Sequence, residues 1–298
     1  MQYYILLVLA VLFWSGNFVF GRLVSTSIEP TELSFYRWFF VLVLLLPYIL
    51  INIKRLTKAL RKDFLLLFLL GGVGVAGFNT FLYYGLQTTT AINALLINSA
   101  IPIMIVVLSA IILKVKIKAI QVFGIFVSTL GVIYLIVKGE LSILSTLEFS
   151  KGDLWILLAG LLWSLYSIFL KFKPKELKAF DFLAITTFIG VGFLTIAFYY
   201  QGYSFSVGFI ENKELFYSLI YMVIFPSILS FYFWNISTVE VGANKAGQFA
   251  HLMPIFGAVL AYIFLGEKLE FYHLVGVILI ALGIYLSIFY LKKDKKSE

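Results

Sequence analysis

Residues 119–137 read AIQVFGIFVSTLGVIYLIV, and residues 271–289 read FYHLVGVILIALGIYLSIF. Neither stretch contains Asp, Glu, Lys or Arg. Each is long enough, at 1.5 Å rise per residue, for an α-helix to cross most of the ~30 Å hydrocarbon core of a bilayer. They also share a frame. Gln121, Gly124 and Gly131 recur as His273, Gly276 and Gly283, all at an offset of 152, and Pro102 recurs at the same offset as Pro254. Trp14-Ser15 recurs as Trp163-Ser164, and Asn93-Ala94 is matched by Asn244 and its neighbours with small slips in spacing. The chain is therefore read as a duplication of membrane-spanning units.

Outward from these two stretches, eight further apolar runs lie between polar breaks, predicting ten spans. Spans 1–5 are Tyr4–Phe20, Leu33–Ile53, Phe64–Leu86, Ala91–Leu113 and Ala119–Val137. Spans 6–10 are Leu154–Leu170, Phe182–Tyr200, Leu215–Val239, Ala246–Leu265 and Phe271–Leu291. The first run lacks a basic leader and a small-residue cleavage site, so it is read as a retained span. The expected organisation is a first repeat over 1–140, a second over 150–292 and a basic tail, 293–298. Five spans per unit is an odd number, so the second unit must cross the membrane in the opposite sense. The fold class is an all-α integral membrane protein of ten helices in two inverted five-helix repeats. Two units of one fold in opposite orientation can exchange conformations, which is what alternating access requires.

Composition agrees. Of 298 residues 62% are apolar or aromatic and 13% charged, with a mean hydropathy of +1.01. A soluble domain carries about 25% charged residues, because water-facing surface has to be covered. The net charge of +8 would suggest nucleic acid in a soluble protein, but here the basic residues cluster between apolar runs and read as a topology signal. The even-numbered connections and the tail hold 17 Lys and Arg, the odd-numbered ones five. Cytoplasmic loops are the basic ones, so both termini are expected in the cytoplasm, with the protein in the cell membrane. With no Cys and two His, disulfides, thiolate metal sites and cysteine nucleophiles are excluded, and no metal or cofactor is expected.

The polar residues inside spans need separate explanations. Gly124 with Gly131 and Gly276 with Gly283 are seven apart, and each pair is read as a helix contact face. Pro102 and Pro254 remove backbone donors, freeing the carbonyls of Asn98 and Ala250. They are read either as plain kinks or as bends that gate a central cavity. Asn244, Gln248 and His251 are spaced i, i+4, i+7 and form one polar stripe, with His251 able to titrate near neutral pH. A guanidinium such as that of Arg37 costs ~2.5–3.5 kcal/mol at a bilayer centre. A structural ion pair, with Glu32 as candidate partner, and a role in substrate or gate charge both stay open for it. Glu267, after Gly266, is read as a carboxylate at a helix end. Trp14 and Asn17 share a face of span 1, and Trp163 and Tyr166 share one of span 6. Aromatic clusters recur in span 3 (Phe78, Phe81, Tyr83, Tyr84) and span 8 (Phe231, Tyr232, Phe233, Trp234). Together they suggest a cavity for an organic solute, since a small inorganic ion would want rings of carbonyls or carboxylates.

These residues resemble the drug/metabolite transporter superfamily, specifically its EamA-type ten-span members. In the first half the matching segments are Trp14-Ser15-Gly16-Asn17-Phe18-Val19-Phe20-Gly21-Arg22, Phe35-Tyr36-Arg37-Trp38, Gly85-Leu86-Gln87, Asn93-Ala94 and Pro102. In the second they are Gly152-Asp153-Leu154, Trp163-Ser164-Leu165-Tyr166, Phe233-Trp234-Asn235, Gly242-Ala243-Asn244, Pro254 and Leu265-Gly266-Glu267-Lys268-Leu269. The resemblance implies transport of small metabolites, amino acids or drugs, often outward, with no ATPase domain. The sequence departs from the pattern at Lys114-Val115, where the first repeat lacks the Gly-Glu of Gly266-Glu267, so Glu267 is expected to act asymmetrically.

The expectation is a permease whose solute binds near the midplane among Trp14, Asn17, Tyr83, Asn98, Trp163, Tyr166, Trp234, Gln248 and His251. Its partners would be a small-molecule solute and membrane lipid, with a proton as candidate coupling ion, uniport and exchange standing beside it, and no nucleic acid. A monomer and a homodimer both fit. A lipid or amphiphile translocator is the alternative. A membrane-embedded enzyme would need convergent titratable groups, and a primary pump a phosphate-binding loop, neither of which is in the sequence.

Overall fold

The computed structural model describes residues 1–289 apart from 90, 266, 267 and 269. Glu267 and the tail 293–298 lie outside the described residues. Among the described residues every regular element is a helix, and nine stretches are long and apolar enough to cross a membrane. These are Gln2–Gly21, Pro30–Ile51, Phe64–Thr88, Asn93–Ile112, Ala119–Ile136, Lys151–Phe172, Ala179–Tyr200, Lys213–Val241 and Phe271–Ile288. They coincide with spans 1–8 and 10. Their outer faces carry bare apolar side chains, with Leu65 80% and Ile196 72% exposed, which is stable only where the solvent is lipid. Local chemistry sets the starts. Pro30 opens span 2, where its missing N–H costs nothing. The Ser150 N–H donates to the Asp153 carboxylate (2.7 Å) at the head of span 6, and Asn212 accepts from the Leu215 N–H (3.2 Å) at the head of span 8.

Span 9 departs from expectation. Its residues form three pieces, an α-helix Ala243–Gly247, a 3₁₀ turn Gln248–Leu252 and an α-helix Met253–Leu265. Span 4 is divided likewise into Ala91–Asn98 and Ile101–Ile112. Both irregularities fall just ahead of the proline, at residues 99–100 and 248–252. Each proline occupies the first turn of an α-helical segment, where its missing N–H costs nothing, and Met253 before Pro254 keeps α geometry (φ −54°, ψ −49°).

Spans 3 and 8 each contain a π-helical segment, Gly71–Gly77 and Val223–Leu229, again separated by 152 residues. The wide turn frees carbonyls, and the Trp14 Nε1–H donates to that of Pro226 (3.0 Å). The basic connection after span 2, read from sequence as a loop, is the helix Ile53–Lys62, which buries Leu56 and exposes its charged face.

The repeats meet most closely through spans 5 and 10. A Cβ added to Gly124 would lie 2.6 Å from the Gly283 carbonyl oxygen, and one added to Gly131 would lie 3.0 Å from that of Gly276. The reverse approaches are as tight, so equivalent glycines of the two halves face each other. Gly124→Ala should accordingly cost about 1–3 kcal/mol, because the obstructing atoms are backbone and cannot rotate away. Gly192→Ala is the matched control, since a Cβ there meets nothing within 4 Å. Thermal unfolding in detergent checks this, and equal melting temperatures for the two variants would refute the contact.

Candidate functional site

Two cavities enter the bundle from opposite ends. One, of about 470 Å³, is lined by Phe18, Leu86, Leu135, Pro254, Gly257 and His273 among others. The other, of about 460 Å³, is lined by Ser109, Gln121, Ser167, Asn244 and Ser287 among others. Gln121 and Leu135 lie on the same helix, Ala119–Ile136, fourteen residues and so about 21 Å apart, which places the cavities at opposite ends. The linings correspond across the duplication. Gln121 of one cavity is the equivalent of His273 of the other, and Leu135 the equivalent of Ser287, each at the offset of 152.

Between the cavities the bundle is closed by aromatic rings. Trp163 lies 4.9 Å from Trp14, 5.4 Å from Trp234, 5.2 Å from Tyr166 and 4.7 Å from Phe78, centroid to centroid. All five are buried, and Phe231 closes the group at 5.4 Å from Trp163. Two of the polar tips are bonded inside the bundle, with the Tyr166 hydroxyl donating to Asn235 Oδ1 (2.7 Å) and the Trp234 Nε1–H to Ser167 Oγ (3.2 Å). Gly74 makes room for the Tyr166 ring, since a Cβ there would overlap it. The structure thus brings Trp14, Trp163, Tyr166 and Trp234 together as a packed plug, and the open volume lies above and below them.

A second polar junction joins the broken spans 4 and 9. His251 is buried, its Nδ1 2.7 Å from Ser128 Oγ and its Nε2 3.0 Å from the Ser99 carbonyl oxygen. Ser99 is the repeat equivalent of His251, and its carbonyl is exposed for bonding by the turn before Ile101. Nε2–H of the ring donates to the carbonyl, and Nδ1 shares the serine hydroxyl with the Ile125 carbonyl, to which Ser128 Oγ also donates (2.9 Å). Gln248, three residues away and on the same face of the 3₁₀ turn, is wholly buried with neither amide atom bonded. Asn98 turns back on its own helix, donating to the Ala94 carbonyl (2.9 Å).

Arg37 gathers a third group. It is wholly buried and donates through Nε to Ser227 Oγ (2.5 Å) and through Nη1 to Asn17 Oδ1 (3.1 Å), Asn79 Oδ1 (2.8 Å) and the Tyr83 hydroxyl (2.6 Å). The ion pair with Glu32 is not formed, since every hydrogen-bond partner is neutral. Five residues apart on one helix, Glu32 and Arg37 point to different sides.

Sequence reasoning missed Asn79, Ser99, Ser128 and Ser227, isolated small polar residues with no periodic signal. It also gave no role to two buried carboxylates at span ends, Asp153, noted only within a family segment, and Asp181. Asp153 accepts from Thr89 Oγ1 and from Asn93 Nδ2 (3.0 Å), fastening the connection between spans 3 and 4 to span 6. Asp181 accepts from the Tyr48 hydroxyl (2.6 Å) and from Arg55 Nη2 (2.7 Å).

Comparison with known proteins places this geometry. The model of the EamA-like transporter family matches residues 1–137 and again 150–289. An uncharacterized transporter of Bacillus subtilis (strain 168), YyaM, is 27% identical over 282 residues, covering 94% of this chain and 92% of that protein. An uncharacterized transporter of Archaeoglobus fulgidus is 27% identical over 289 residues, covering 95% and 96%. A crystal structure with 17% identity superposes with a TM-score of 0.75 over 98% of both chains, a likeness of fold.

Proposed function

Because the chain belongs to the EamA-like transporter family, we propose that it is a secondary carrier that moves a small organic solute outward across the cytoplasmic membrane by alternating access. In this reading residues 1–140 and 150–292 are inverted repeats, span 9 is a tenth crossing, and both termini face the cytoplasm. The observation that carries it is the pair of cavities at opposite ends with equivalent linings. A channel would be continuous and an enzyme would converge titratable groups on one pocket. Here each repeat contributes the same positions to the opposite side, and a plug of rings separates the two. The structure then represents a closed intermediate, and rocking one half against the other across the Gly124–Gly283 contact would open one cavity to the centre while sealing the other.

The solute expected is neutral or zwitterionic with apolar or aromatic bulk, because rings dominate the centre and, among the described residues, no paired Lys or Arg lies deep in the bundle. Uniport or exchange suits the site better than proton coupling, since His251 is buried and bonds to a serine hydroxyl and a backbone carbonyl, with no carboxylate among its partners in the described residues. Reconstitution in sealed liposomes tests the reading, with radiolabelled amino acids and small aromatic metabolites screened with and without a pH gradient. Saturable uptake that ignores the gradient in wild type and in His251→Ala alike is the expected result. Uptake driven by the gradient and abolished in His251→Ala would make this histidine the coupling site. No flux for any solute from folded protein would move the assignment to a lipid or amphiphile translocator.

A further inference from the structure

The group around Arg37 contains two hydrogen-bond donors that the protein leaves unused. Nη2 of Arg37 has no partner, and neither does Nδ2 of Asn79, whose oxygen already accepts from Arg37 Nη1. Both residues are buried, Arg37 at 0% and Asn79 at 1% exposure. The two ion pairs among the described residues, Arg55 with Asp181 and Lys62 with Glu176, lie elsewhere. The guanidinium bonds only to neutral oxygens and lies 5.4 Å from the Trp38 ring centroid, so among the described residues no anion balances its charge in a low-dielectric interior, where charges are ordinarily paired. From this geometry we propose that Arg37 and Asn79 form a subsite for the carboxylate group of the transported solute, an inference that rests on the carrier reading above.

The chemistry selects the group. A free guanidinium N–H edge beside an amide N–H presents donors only, so the missing occupant is an acceptor. Charge-assisted bonds from guanidinium to carboxylate are the strong class, and one carboxylate brings the net charge of the cluster to zero. A phosphate dianion would leave it negative, and a water would leave the positive charge uncompensated. Position fits as well. Arg37 lies seven residues from Pro30, about 10 Å in from that end of span 2. The cavity lined by Phe18 and Leu86 is near in the chain, since Phe18 follows Asn17 and Leu86 is one turn from Tyr83, although none of the four cluster residues lines it. A solute held in that cavity by its apolar body engages the cluster only when Asn17 and Tyr83, two side chains bonded to Arg37, swing aside.

The test is ligand-dependent thermal stabilisation of the purified full chain in detergent. The probes are amino acids with small, branched and aromatic side chains, each beside its own carboxamide, with chloride and inorganic phosphate as further arms. Expected is a saturable rise in melting temperature for at least one carboxylate, absent for its amide, with at least a tenfold loss of apparent affinity in Arg37→Lys. Asn79→Asp plants a carboxylate next to the guanidinium. It should raise the melting temperature of the free protein and erase the response to the amino acid, which a purely structural arginine would not produce. Equal stabilisation by acid and amide, stabilisation by inorganic anions alone, no response to any carboxylate, or an intact response in Asn79→Asp would each overturn the subsite. Flux in liposomes separates the two proposals. Acids and amides carried alike would leave the carrier and remove the subsite, whereas carboxylate-specific stabilisation without flux would leave the subsite and remove the carrier.

Discussion

Trp163→Ala is expected to lower stability by about 3–5 kcal/mol, the largest loss from any single ring. Trp163 is the hub of the central cluster, in ring contact with Trp14, Phe78, Tyr166, Phe231 and Trp234. Those partners come from spans 1, 3, 6 and 8, so the cavity left by its removal cannot collapse without shifting several helices. Aromatic pairs add ~0.5–1.5 kcal/mol each beyond buried area, which makes the loss steeper than for a peripheral ring. Tyr200 supplies the comparison, being 90% exposed on the bundle surface, and its replacement by Ala should leave the melting temperature within about a degree of wild type. The readout is thermal unfolding in detergent. A Trp163→Ala loss under ~1 kcal/mol would mean that the plug is loosely packed and cannot act as a barrier between the cavities.

Gln248→Leu should reduce flux at least tenfold while leaving the melting temperature unchanged or raised. Gln248 is wholly buried, and both its amide oxygen and nitrogen lack partners. An unsatisfied buried polar group costs ~1–3 kcal/mol, so an apolar side chain of similar size relieves a penalty and should not damage the fold. A residue retained against that penalty is explained if the amide is bonded in another conformation, by solute or by the other arm of the carrier. Flux in liposomes and unfolding in detergent, measured on the same preparation, decide between the possibilities. A large fall in melting temperature would make Gln248 structural, and unaltered flux would remove it from the pathway.

How much of this was legible in the sequence differs by feature. Nine of the spans and the glycine contact were readable because length, hydropathy and a fixed offset are strong one-dimensional signals. The form of the irregularities ahead of Pro102 and Pro254 was not legible, since a proline in an apolar run does not say whether the helix bends or changes type. The π segments were invisible. Gly71, Gly72, Gly74 and Gly77 in one and Pro226 in the other permit a wide turn without requiring it. Among the candidate residues, sequence could not distinguish rings that line a cavity from rings that fill it. That difference depends on side-chain packing between helices far apart in the chain. The partners of Arg37 show the same limit, because Asn17, Asn79, Tyr83 and Ser227 meet only when spans 1, 2, 3 and 8 assemble.

The central claim is that the two end cavities open in alternation. The chain has no cysteine, so single cysteines can be introduced without background reactivity. Gly257→Cys places a thiol in one cavity, at a position where added atoms meet nothing within 4 Å, and Ala243→Cys places one in the other. The measurement is the rate at which a bulky water-soluble thiol reagent modifies each variant in liposomes, as the transported solute is added to one side or the other. The account predicts opposite responses, with any condition that speeds modification at Gly257→Cys slowing it at Ala243→Cys. Rates that rise and fall together, or that ignore the solute at both positions, would contradict it.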